Sequence, residues 1–151
     1  MVVCWGMAVR KSMPSKQIKV SQAEYEALAA FRHALRQFLH FSDEAARTAG
    51  LTPQQHQALL AIKGFPGRDR ATIGELAERL QIRHHSAVGL ANRLVAERLA
   101  QRTQDTADRR QVYLALTARG ETVLEKLSAA HKEQLRRVGP QIGLLLERLG
   151  G

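Results

Sequence analysis

The stretch "ATIGELAERLQIRHHSAVGLANRLVAERLA", residues 71–100, leaves few folds open. Thr72 stands three residues before Glu75, the spacing at which a hydroxyl and a carboxylate cap the free backbone N–H groups of a helix start. Ile73, Leu76, Ala77 and Leu80 then share one face, and the run stops at "QIRHH". A second helix, from about His84 to Arg98, buries Ala87, Ala91, Leu94 and Val95 and turns His85, Gly89, Asn92, Arg93 and Ala96 outward. Two short helices joined by a tight turn, the second with a polar and small-residue outer face, form the helix-turn-helix pattern.

The flanks extend this pattern on both sides. Ser21 and Glu24 repeat the capping spacing, and Tyr25, Leu28, Phe31, Leu35, Phe38 and Leu39 recur every three or four residues, so one long helix runs to near Gly50. Its apolar stripe is longer than a short domain can cover, and part of it is expected to meet a partner. Thr52, Pro53 and Gly64 start and stop a helix of about three turns, and "GFPGRDR" reads as a loop.

Beyond the second helix, "LAQRTQ" and "QVYLAL" read as two strands, the latter alternating Val112, Leu114 and Leu116 against Gln111, Tyr113 and Ala115. "DTADRR" joins them and puts Arg109 and Arg110 at a hairpin tip. Thr117 caps a long helix with Gly120 in its first turn, and Pro140 starts a last short helix with Ile142, Leu145, Leu146 and Leu149 on one side. So short a helix is marginal alone, and it is expected to dock on the first helix of a second subunit.

Charge narrows the function. The chain has 151 residues and a net charge of +9, and its 17 arginines far outnumber its 6 lysines. Such an excess favours phosphate polymers, because guanidinium adds forked hydrogen bonding to the charge. From Arg79 to Arg119 there are eight arginines, three acids and no lysine. A ribbon tipped by Arg109 and Arg110 has the charge and length to reach a minor groove, with Asp108 orienting a neighbour. The start of the second helix offers Arg83, His84, His85 and Ser86 to base edges or phosphates, and Asn92 and Arg93 lie further along the same side.

Other classes find little support. No serine elbow, phosphate-cradling glycine loop or metal-ligand set is present, so neither an enzyme nor a cofactor is expected. The six histidines are badly spaced for a metal: His33 and His40 are about 10 Å apart along a helix, and His84 and His85 point to different sides. They read as scattered surface or core residues. The single cysteine, Cys4, excludes an internal disulfide, and no apolar run could span a bilayer, so a cytoplasmic chain is expected. Residues 1–20 read as a loose leader, with Met7 or Met13 an alternative start. A non-specific or architectural nucleic-acid binder is the alternative function; it lacks the aromatic platform that single-strand recognition uses.

The order of elements resembles the MarR family of bacterial transcription regulators, most strongly from about Leu51 to Leu127. The resemblance rests on "LTPQQHQALLAI", "TIGELAERLQI", "SAVGLANRLVAERLAQR" and above all "DTADRRQVYLALTARG", similar to the family's wing of acid, Asp-Arg-Arg, strand and Leu-Thr-x-x-Gly. It implies a mainly α winged helix-turn-helix with a small β-hairpin wing. The N-terminal dimerisation helix (21–50) and C-terminal dimerisation helices (119–151) then flank a DNA-binding domain (51–118). It further implies a homodimeric repressor on a pseudo-palindromic double-stranded operator, with Arg109 in the minor groove and Arg110 on Asp108. A small aromatic or phenolic effector would bind between the DNA-binding lobe and the dimer layer; some members instead sense oxidants through a cysteine near the first helix, but Cys4 lies 17 residues before Ser21 and a redox role is not expected of it. Ala107 departs from the charged residue or proline common at that point of the wing.

Overall fold

The computed structural model describes residues 19–150; the rest of the leader, with Cys4, Met7 and Met13, lies outside the described residues. Five helices and three strands follow in the order α1 (Gln22–Thr48), α2 (Pro53–Lys63), β1 (Arg70–Ala71), α3 (Ile73–Leu80), α4 (His84–Ala96), β2 (Ala100–Gln104), β3 (Val112–Leu116) and α5 (Ala118–Gly150). Among the described residues no helix is long and apolar enough to cross a membrane.

Local chemistry sets most helix starts. Ser21, Thr52 and Thr72 each accept the N–H three residues on, and Glu24, Gln55 and Glu75 return the bond to the cap's own N–H. Thr117 does the same work for α5: its hydroxyl accepts the Gly120 N–H at 3.1 Å and donates to the Arg98 carbonyl at 2.6 Å. That second bond ties the helix to the end of α4.

The core lies between α2, α3, α4 and the sheet, where Leu59, Ile62, Leu76, Leu90, Leu94, Leu99 and Leu114 are fully buried. Helix α5 joins this core through Leu124 and Leu127. Its entry needs Gly120, since a Cβ there would sit 2.0 Å from the Leu99 carbonyl oxygen. Beyond that point α5 runs along α1.

Four expectations are corrected. "GFPGRDR" ends in a short strand, because Arg70 and Ala71 pair with Ala115 and Leu114 and make β3 the central strand of an antiparallel β1-β3-β2 sheet. Arg68 and Arg70 lie over the outer face of this strand, so Tyr113 is buried with Leu114 and Leu116, and Val112 is exposed; the simple alternation fails. Helix α4 stops at Ala96, where the chain turns through Arg98 at φ 58°. The C-terminal segment is one 33-residue helix with Pro140 inside it, not two helices. Proline removes one donor and crowds the carbonyl four residues back, a cost of about 3 kcal/mol. Pro140 is exposed, so water can satisfy the freed carbonyl, and Leu145 beyond it is buried beside α1.

Candidate nucleic-acid interface

Helix α4 presents one continuous outer face. Arg83 is its N-cap residue and makes no side-chain cap bond, and His84, His85 and Ser86 of the first turn are all exposed, as are Asn92 and Arg93 further along. The opposite face is locked in place by Ala87, Leu90, Ala91 and Leu94. A Cβ built on Gly89 would meet nothing within 4 Å, so the packing of this chain does not demand glycine there.

The turn that orients α4 on α3 is made by Gln81, in the left-handed region at φ 54°. Its N–H bonds the Glu78 carbonyl at 3.1 Å, the next N–H, of Ile82, returns to Ala77 at 3.0 Å, and the Gln81 side-chain amide donates to Glu78 at 2.7 Å. The other end of α4 is held by Gln55 of α2. This buried amide accepts the Thr52 N–H and donates to Glu97 at 3.0 Å, so its oxygen and its nitrogen each have a partner.

The wing tip is built from two side-chain turns. Asp105 accepts the Ala107 N–H at 2.9 Å, and Asp108 accepts the Arg110 N–H at 3.0 Å. The Arg110 guanidinium also reaches Asp108 at 3.4 Å, though its side chain is 93% exposed. An exposed pair of this kind contributes about 1 kcal/mol at most, so it orients rather than stabilises. Arg109 makes no ion pair among the described residues. Ala107 takes charge from the tip without losing the turn.

Sequence reasoning missed two parts of this surface. Arg102 of β2 donates to the Asn92 side-chain amide oxygen Oδ1 at 2.5 Å and so links the outer face of α4 to the wing. It also lines, with Thr72, His84 and Arg110, a groove of about 410 Å³ between α3, α4 and the hairpin. Its position opposite Leu114, a core residue on the inner side of β3, was the available signal, once the register is known. Behind the wing, Arg68 lies over the Phe65 and Tyr113 rings at 4.4 and 5.0 Å, Arg70 over Tyr113 at 4.4 Å and Arg79 over Phe65 at 5.1 Å. Arg68 also pairs with Glu75. Burial pushes the Glu75 carboxyl up, but the Thr72 N–H and the Arg68 guanidinium outweigh it and leave the group below its ordinary value. This ladder braces the buried ring of Tyr113 against α3.

A short helix pair with a tight turn, an exposed second helix and an adjoining hairpin together define a winged helix-turn-helix. The MarR family model matches residues 49–111, the segment that carries these elements up to the wing tip. The HTH-type transcriptional repressor MdtR of Bacillus subtilis (strain 168) is 31% identical over 94 residues, which are 62% of this chain and 59% of MdtR. Among solved structures, the YusO protein of Bacillus subtilis is 28% identical with a TM-score of 0.58, covering 79% of this chain and 83% of its own. A point mutant of S. aureus MepR, bound to an oligodeoxyribonucleotide, is 21% identical with a TM-score of 0.61, covering 82% and 85%. Residues 49–111 thus match the MarR family, and the chain as a whole is similar in fold to these proteins.

Proposed function

We propose that the chain is a sequence-specific double-stranded DNA-binding transcriptional regulator that acts as a homodimer on a pseudo-palindromic operator. The observation that carries the reading is the outer face of α4, on which Arg83, His84, His85, Ser86, Asn92 and Arg93 are all exposed beside a folded wing. In this reading α4 enters the major groove, its first turn and Arg93 meet base edges or phosphates, and Arg109 enters the flanking minor groove. Arg110 stays on Asp108 and sets the angle of the tip. The open space at Gly89 lets backbone and duplex approach closely.

Dimerisation is supported by the apolar residues that α1 and α5 leave in water: Tyr25, Leu28, Leu35, Leu39, Leu144 and Leu146 are each between 42% and 59% exposed. A dimer formed through them would have to set its two recognition helices about 34 Å apart, one turn of duplex, to read both half-sites. Repression is the direction proposed, after MdtR. A small aromatic or phenolic anion is the effector proposed to release it.

The test is binding of the full chain to its own upstream promoter duplex, to a scrambled duplex and to RNA of equal length across a salt series. A regulator prefers the promoter duplex at every salt concentration, while affinity for all three falls as salt rises. Equal affinity for the three would sink the reading and leave a non-specific nucleic-acid binder.

A further inference from the structure

Where the helix-turn-helix lobe rests on α1 and α5, two histidines distant in the chain face each other. His56 of α2 is 4% exposed, and its ring centroid lies 4.8 Å from that of His131 on α5. The His131 ring stands edge-on to Phe38 and Phe41 of α1, at 5.9 and 5.4 Å. Its Nδ1 is 2.6 Å from the Leu127 carbonyl oxygen, which can only accept, so Nδ1 carries a proton. In the neutral ring Nε2 then accepts the Ser42 hydroxyl of α1 at 2.8 Å. Three helices thus meet on one pair of imidazoles, with the tautomer of His131 fixed from two of them. The expectation of scattered histidines is corrected for this pair.

The cluster suits neutral rings and opposes charged ones. A second proton on His131 makes Nε2 a donor, and the Ser42 hydroxyl must reverse, turning to another acceptor such as a carbonyl of its own helix. A proton on His56 sets a cation against the His131 ring inside the core. Burial and His131 hold His56 below the ordinary imidazole range, and Asp43 of α1 works the other way. The flanking charges, Glu44 on α1 and Lys132 on α5, are exposed.

We propose that His56, His131 and Ser42 form a proton-sensitive latch between the two layers. Neutral, it holds α2, and with it the helix-turn-helix lobe, on α1 and α5; protonated, it frees the lobe to shift, and duplex binding weakens. The latch is a property of the fold, and only its readout in duplex affinity rests on the proposed DNA-binding function. The sign follows from linkage. His56 has a lower affinity for protons folded than unfolded, so its contribution is full above about pH 6.5 and is lost as pH falls from there toward the folded value. The lowered carboxyls of Glu24 and Glu75 act only below their ordinary value of 4.5.

The experiment compares the full chain with His131→Phe and Ser42→Ala at about pH 7.5 and about pH 5.5 at constant ionic strength. It reads amide exchange of α2, imidazole NMR titration and duplex affinity. In the wild type, α2 protection falls about tenfold on acidification and duplex affinity falls with it, while His131→Phe lessens both falls and leaves the part due to the burial of His56. The exposed His84 and His85 are present in the wild type and in both variants, so the comparison between them isolates the latch. Unchanged wild-type protection, or an equal fall in His131→Phe, overturns the latch. Should His131→Phe not fold, an unshifted titration of His56 in the wild type overturns it equally. A pH-dependent α2 without any duplex preference would keep the latch and remove the DNA-binding function; pH-independent sequence-specific binding would do the reverse.

Discussion

The lobe around α4 and the layer formed by α1 and α5 use apolar residues in opposite ways. The lobe places large side chains inside, with Leu59, Ile62, Leu76, Leu90, Leu94, Leu99 and Leu114 each at most 1% exposed. Helix α1 buries only alanines, Ala27, Ala34 and Ala46, and leaves Tyr25, Leu28, Leu35 and Leu39 largely in water. Burying one such large side chain fully is worth about 1.5–3 kcal/mol, so four half-exposed ones forgo roughly twice that amount in a single chain. The lobe encloses its large apolar side chains, and the layer leaves its own open.

The sharpest way to break this contrast is at the joint. Gly120→Ala drives a Cβ into the Leu99 carbonyl and separates α5 from the lobe, with a loss of roughly 4 kcal/mol or more in urea unfolding. Wild-type stability in that variant would mean α5 does not enter on Leu99. The contrast itself is read by two further substitutions. Leu94→Ala empties a fully buried site and costs roughly 3 kcal/mol at every protein concentration. Leu28→Lys combined with Leu144→Lys touches exposed positions, so the single chain keeps its fold and sedimentation shifts from dimer to monomer. An unchanged sedimentation profile would take the dimer surface away from these helices.

How much of this was legible depends on the reach of each signal. The starts of α1, α2, α3 and α5 were readable because Ser21, Thr52, Thr72 and Thr117 act within three residues of themselves. The exposed face of α4 was readable from its period. What failed depends on partners distant in sequence. The strand at Arg70 and Ala71 exists only because β3 pairs with it, and Tyr113 is buried because Arg68 and Arg70 cover its ring from that side. Pro140 announces a helix end by a local rule that packing on α1 overrides. Arg102 looked like one more strand cation until the register brought it to Asn92, and no spacing rule joins His56 to His131.

On the outer surface of the lobe the contrast becomes one between two neighbouring arginines. Arg109→Ala is expected to weaken operator binding about tenfold, and Arg110→Ala less, because Arg110 already bonds Asp108. Thermal unfolding should stay within about 0.5 kcal/mol of wild type for both, since neither side chain enters the core. Gel-shift titration with the selected operator separates them, and a larger loss from Arg110→Ala would exchange their roles.

The smallest effect concerns the two left-handed residues that bound α4, and it shows how far a strained turn is compensated within the lobe. Gln81 and Arg98 sit at φ 54° and 58°, where a side chain costs about 1–2 kcal/mol relative to glycine. Gln81 recovers part of that through its amide bond to the Glu78 carbonyl. For Arg98 the neighbouring help comes through its backbone carbonyl, which accepts Thr117 and would survive any substitution. Arg98→Gly should therefore stabilise by about 0.5–1 kcal/mol, and Gln81→Gly by less, because glycine there relieves the backbone and deletes a cap bond together. Denaturant midpoints of the two variants decide it: an equal gain would show that the Gln81 amide contributes nothing to the turn, and a loss in Arg98→Gly would place its exposed side chain among the contacts that hold α4.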